Sequence, residues 1–168
     1  IGWLGLEGFG AKSHLEQARN NAQQAKEALL AGNSAGAIES AENAQLSARQ
    51  AQEATHSLPW NIAAAVPLIG SPMRTTQQMS DVVVSLADSV LMPAAQLGSG
   101  FSPDKLVSGT SINLSLLRTE EPRLSELSVA AAKLDAQAQA IDQPAYLSVI
   151  GNARSQLQEQ TAKIASLL

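Results

Sequence analysis

Residues 13–56, SHLEQARNNAQQAKEALLAGNSAGAIESAENAQLSARQAQEATH, decide the fold. Ser13 and Glu16 form a Ser-x-x-Glu capping box, which satisfies two orphan backbone donors reciprocally, so a helix is expected to start at Ser13. Leu15, Ala18, Ala22, Ala25 and Leu29 recur at alternating steps of three and four, which places them on one helical stripe. Gly32 suits the left-handed residue that ends a helix. The turn Gly32-Asn33-Ser34 is short, so the next helix must return antiparallel. That second helix is expected from about Ala35 to His56, with Ala37, Ala41, Ala44, Ala48 and Ala51 in the same rhythm. Both seams are alanine-rich, which allows a narrow axis separation. Each rod of roughly 20 residues spans about 30 Å. Gln23, Gln24, Lys26, Glu39, Glu42, Arg49 and Glu53 fall on the outer, solvated faces.

Beyond the hairpin, Leu58-Pro59-Trp60 breaks the helix. Ile62 to Ile69 is an apolar run interrupted by Pro67, well short of the roughly 20 residues a membrane span requires. It reads as a short helix and a corner at Pro67-Leu68-Ile69-Gly70. Ser71 as N-cap and Pro72 at the first helical position restart the chain. Met79, Val82, Val83, Leu86, Val90 and Leu97 mark a buried stripe, and Pro93 should kink that helix. Gly98 to Thr110 reads as a loop with one helical turn over Pro103 to Val107. Asn113 is expected to cap a helix to about Ile141, striped by Leu117, Leu124, Leu127, Ala131, Leu134 and Ile141, and kinked or split at Pro122. Asp142-Gln143-Pro144 reads as a turn with proline opening the last helix, which carries Leu147, Ile150, Leu157, Ile164 and Leu168.

The expected architecture is all-α: an elongated antiparallel helical bundle of four to five long helices with an N-terminal helical hairpin. Residues 1–10, apolar and glycine-rich with Trp3, read either as a frayed start or, as expected here, as a membrane-proximal segment with the indole at headgroup level. Residues 11–168 form a single helical domain, with a hairpin over 11–57 and a kinked three-helix section over 58–168. The hairpin resembles one tetratricopeptide-like unit, but a solenoid needs about three and no 34-residue repeat occurs.

Composition narrows the function. The chain has 168 residues, is 45% hydrophobic, 15% charged and 3% aromatic, and has no cysteine, two histidines and a net charge of -4. The lack of cysteine excludes zinc fingers, dithiol redox centres and disulfide-stapled folds. An acidic balance argues against nucleic acid as a partner.

The chemically able side chains form no coherent set. His14 and His56 have no metal-ligand spacing, and His56 suits a helix C-terminus. The Gly-x-Ser-x-Gly match at Gly32-Asn33-Ser34-Ala35-Gly36 lies in the turn between two expected helices rather than after a strand, so it is not a nucleophile elbow. Gly98-Ser99-Gly100 lacks the Lys-Ser/Thr ending of a phosphate loop. Glu120 and Glu121, being adjacent, point different ways on a helix. Asp81 and Asp88 share a helix face as a polar outer edge. No catalytic residue, cofactor or metal is therefore expected. The candidate site is the corner holding Trp60, Pro67, Leu68 and Ile69: packing between hairpin and long helices, or an aromatic patch for a partner or a lipid surface.

Leu29-Leu30-Ala31-Gly32-Asn33, Leu58-Pro59-Trp60, Val66-Pro67-Leu68-Ile69-Gly70 and Ile112-Asn113-Leu114 ahead of a helix containing Pro122 follow in an order that resembles an actinobacterial family. Its members are large membrane-anchored cell-envelope proteins of unknown function. In that family a membrane helix often ends in a segment like Trp3-Leu4-Gly5, and the helical region precedes a larger domain likened to the LytR-CpsA-Psr group. Glu7 and Lys12 depart from that apolar segment. The resemblance implies an extracytoplasmic helical module, tethered through an N-terminal anchor outside this chain. Its partners would be other domains of the same protein or other envelope proteins, and it transfers no catalytic residue. The reading from residues is a non-catalytic spacer or interaction platform; the alternative is a ligand-sensing bundle of a bacterial surface receptor, with a cavity opened at Pro93 and Pro122.

Overall fold

The computed structural model describes residues 2–67, 70–100, 107–108, 111–112 and 114–168. Its elements are α1 (Gly2–Leu30), α2 (Ser34–Thr55), α3 (Leu58–Ala65), α4 (Ser71–Leu86), a π-turn (Ala87–Leu91), α5 (Met92–Gly100), β1 (Val107–Ser108), β2 (Ser111–Ile112), α6 (Leu114–Gln139) and α7 (Ser148–Leu167). The fold is an all-α, elongated, antiparallel bundle led by a tight hairpin. α1, with 29 residues, is about 43 Å long. The strands are a two-residue antiparallel ladder, Val107 opposite Ile112 and Ser108 opposite Ser111.

α4, the π-turn and α5 run on as one central helix. On one side it meets the α1–α2 hairpin through Val83, Val84, Ala87, Leu91, Met92 and Ala95. On the other it meets α6 and α7 through Met79, Val82, Val90 and Leu97. A helix between two layers must be apolar on two sides, which is why its sequence shows more than one stripe. The long helices alternate in direction, so each end of the bundle gathers distant segments. One end holds the start of α1, the α2–α3–α4 corner and the α6–α7 connection. The other holds the α1–α2 turn and the end of α7.

The first turn follows its sequence closely. Gly32 has φ +72, Asn33 N–H donates to Ala28 O at 2.8 Å, and Gly32 N–H donates to Leu29 O at 3.1 Å. That is a Schellman closure. Asn33 then caps α2, its Oδ1 accepting from Gly36 N–H at 3.0 Å. One residue closes α1 and opens α2.

Several expectations need correction. α1 begins at Gly2, so Ser13 does not cap it. No proline interrupts residues 2–13, the glycines weaken a helix by only about 1 kcal/mol each, and Ala11 is buried. α4 is preceded by Gly70, and Ser71 is its first residue rather than its cap. α5 continues through Gly100, beyond the expected loop start at Gly98. The turn expected over Pro103 to Val107 falls mainly outside the described residues, where Asn113 also lies; Val107 opens β1. α6 runs unsplit through Pro122. Leu124, Leu147 and Leu168 leave the buried stripes, at 40%, 53% and 46% exposure, Leu147 because it precedes the first residue of the last helix. α7 starts at Ser148, not at Pro144. Its preceding residues are held off the helix by α4: Ser71 Oγ accepts from Ala145 N–H at 3.0 Å, and Thr75 Oγ1 donates to Asp142 O at 3.1 Å.

At Pro93 the expected kink takes the form of the π-turn. Met92 N–H donates to Ala87 O, five residues back. A proline lacks an amide and crowds the carbonyl four residues earlier. Widening the preceding turn by one residue is one way to accommodate that strain.

Candidate functional site: the corner at Trp60 and the polar seam of the central helix

The corner between α2 and α4 is built by an eight-residue helix whose inner stripe is Trp60 and Ala64, both buried. Trp60 Nε1 donates to Met73 O at 3.3 Å, so its polar handle is satisfied while the ring packs. Arg74 Nη1 donates to Ala64 O at 2.6 Å, and Gly70 N–H to Val66 O at 2.9 Å. Gly70 is buried, and a Cβ there would collide with the Ala64 carbonyl and the Val66 oxygen. Glycine is the residue that permits this approach. Gln77 Nε2 ties α4 back to Thr55 O at 2.8 Å and Asn61 Oδ1 at 2.7 Å. Pro67 is exposed at the turn. Leu68 and Ile69 lie outside the described residues.

Asp81 and Asp88 do not stand alone on an outer edge. Asp81 accepts from Gln52 Nε2 at 2.7 Å and lies 3.5 Å from His56 Nε2. Asp88 accepts from Gln45 Nε2 at 2.7 Å and from Arg49 Nη2 at 3.2 Å. The same trio, one carboxylate with an amide and a nitrogen base or cation, occurs twice at a seven-residue interval. This ladder fixes the register of α2 against the central helix. Sequence pattern alone did not show it, because the partners lie on another helix; the matching spacing of Gln45/Gln52 and Arg49/His56 was the available signal. Such part-exposed ties give little net stability but orient their helices.

A second polar tie joins α4 to the α6–α7 connection. Gln78 Nε2 donates to Asp142 Oδ2 at 3.1 Å, and Asp142 N–H donates to Gln78 Oε1 at 2.9 Å. Buried hydroxyls are also matched: Thr55 Oγ1 and Ser80 Oγ are 2.8 Å apart. His14 Nδ1 is a buried nitrogen without a hydrogen-bond partner among the described residues. Glu120 pairs with Arg123 at 3.2 Å.

Among the described residues no cluster of three or more His, Asp or Glu side chains is placed to hold a metal ion, and no helix is long and apolar enough to cross a membrane. These features define an all-α helical module whose polar interior contacts join helix to helix. Compared with protein families, curated proteins and solved structures, the chain matches none.

Proposed function

We propose that this chain is a non-catalytic, extracytoplasmic helical module, a spacer or interaction platform within a membrane-tethered cell-envelope protein. The observation that carries the reading is the use of the interfacial polar groups. Asp81, Asp88, Gln45, Gln52 and Gln77 bond across helices and Gln78 bonds to the α6–α7 connection, which suits a rigid strut better than a reaction centre. The compartment and the tether are proposed on the resemblance of the ordered motifs to the envelope family. Turnover of a cell-wall polymer by the purified chain would sink the non-catalytic reading. Immunoblotting of fractionated source cells tests the setting: a membrane-bound parent far larger than 17.5 kDa is expected, and a soluble 17.5 kDa band would overturn it.

One feature favours the ligand-sensing alternative. Beside the π-turn, Pro93, Leu97 and Leu127 with Gln96, Arg123 and Glu126 border an open groove of about 390 Å³. Apolar walls with a few polar groups are typical of small-molecule sites. Saturable stabilisation by small carboxylates, lost in Arg123→Ala, would move the assignment to this reading.

A further inference from the structure

We propose that the end of the bundle formed by α3, the first turn of α4 and the α6–α7 connection docks on the interfacial layer of a lipid bilayer.

α3 is apolar on two sides. Trp60 and Ala64 face inward, while Leu58, Ile62 and Val66 recur every fourth residue on the outside, with Leu58 80% and Ile62 67% exposed. An apolar stripe at helical spacing ordinarily finds a partner surface. The α6–α7 connection and the first turn of α7 bring Tyr146, Leu147 and Val149 to the same end, Val149 at 75% exposure. Its place there is fixed by the bonds of Ser71 and Thr75 to Ala145 and Asp142. Leu147 has φ 65, a left-handed conformation that non-glycine residues adopt at an energetic cost, and it presents an exposed leucine at this end.

Charge selects the occupant. Residues 57–73 and 143–153 contain no Asp, Glu, Lys, Arg or His, although the chain as a whole carries a net charge of -4. The cations Arg74 and Arg154 immediately follow the two uncharged stretches. Each uses one donor on a backbone carbonyl, which leaves other guanidinium donors for phosphate. Asp142 borders the patch too, but its carboxylate is bonded by Gln78. Protruding apolar side chains, a tyrosine and bordering arginines match the boundary between acyl chains and headgroups. The start of α1 reaches this end as well. From Gly2 to Gly10 its sequence has Glu7 as its single charge.

The absence of cysteine makes the test direct. Ile62→Cys, labelled with a polarity-sensitive fluorophore, should shift to the blue when phosphatidylcholine vesicles, with or without phosphatidylglycerol, are added to the 168-residue chain. Leu30→Cys, 79% exposed at the opposite end, should not shift. In flotation, Ile62→Asp with Val149→Asp should lower vesicle binding at least ten-fold with unchanged circular dichroism, and Leu30→Asp should not. No flotation, or equal blue shifts at both ends, would overturn the proposal. So would a shift at Ile62 that grows with protein concentration without lipid and accompanies dimerisation, since the occupant would then be a second copy. Because the chain is tested without any tether, failure here leaves the envelope assignment standing or falling on its own fractionation experiment.

Discussion

The two hairpins that flank the central helix close their interfaces by different means. Along the α1–α2 seam the fully buried apolar side chains are alanines: Ala11, Ala18 and Ala25 facing Ala37, Ala41, Ala44, Ala48 and Ala51. On the other side, Leu127, Leu134 and Ile141 alternate with Ala131 and Ala138 against Met79, Val82, Val90 and Leu97. The first interface fits backbone to backbone, and the most extensive helix–helix contact of the molecule lies there. The second fills volume with large side chains interleaved with small ones. One depends on nothing being added, the other on nothing being removed.

The largest expected effect tests the volume-filled side. Leu134 is 2% exposed, and Leu134→Ala should destabilise the chain by about 2–5 kcal/mol, through lost transfer energy and the cavity left behind. Urea denaturation measures it. A loss under about 1 kcal/mol would mean that α6 and α7 are loosely packed and that the contrast fails.

The complementary change tests the alanine seam. Ala48 is fully buried, and Ala48→Leu should cost about 1–3 kcal/mol by forcing α1 and α2 apart. Ala130 borders the open groove beside Pro93, so Ala130→Leu should change stability by no more than about 0.5 kcal/mol. Equal losses at the two positions in thermal melts would erase the distinction. A smaller effect belongs to the turn: Asn33→Ala removes the cap of α2 and should cost about 1 kcal/mol, with faster amide exchange at Gly36.

How much of this was legible in sequence differs between the same regions. The alanine rhythm and Gly32 announced the first hairpin because its determinants are local, a helical period and a left-handed turn. The Ser13-x-x-Glu16 signal misled, since a capping pattern inside a sequence with no breaker does not stop a helix that tertiary packing at Ala11 extends. The start of α7 was missed for the converse reason. Ser71 and Thr75 hold the chain at Asp142 and Ala145 across a long sequence separation. Pro93 reads as a disturbance, while its resolution as a π-turn is a local choice of hydrogen bond, Met92 N–H to Ala87 O, that residue spacing does not encode. At the candidate corner, the inward side of Trp60 and the outward side of Ile62 could not be separated by composition, because α3 is apolar on both.

The smallest effect lies on the solvent face of α7 and sharpens the comparison at its margin. The Lys163 ammonium donates to Glu159 Oε1 at 2.7 Å, and that hydrogen bond, then the ammonium charge, holds the Glu159 carboxyl below its ordinary value. A carboxyl lowered on folding stabilises above its unfolded value, and that contribution disappears as pH falls through the folded value. The corresponding pair on α1, Lys12 and Glu16 at 3.6 Å, has the reverse chain order, which is the weaker orientation along a helix. Lys163→Met should therefore lower Tm slightly at pH 7, with the difference shrinking as pH falls below the usual carboxylate range. Lys12→Met should have a smaller effect at pH 7. Both pairs are solvent-exposed, so added salt should shrink each difference. If Lys12→Met matched Lys163→Met across that pH range, helix orientation would not be what sets the two ion pairs apart.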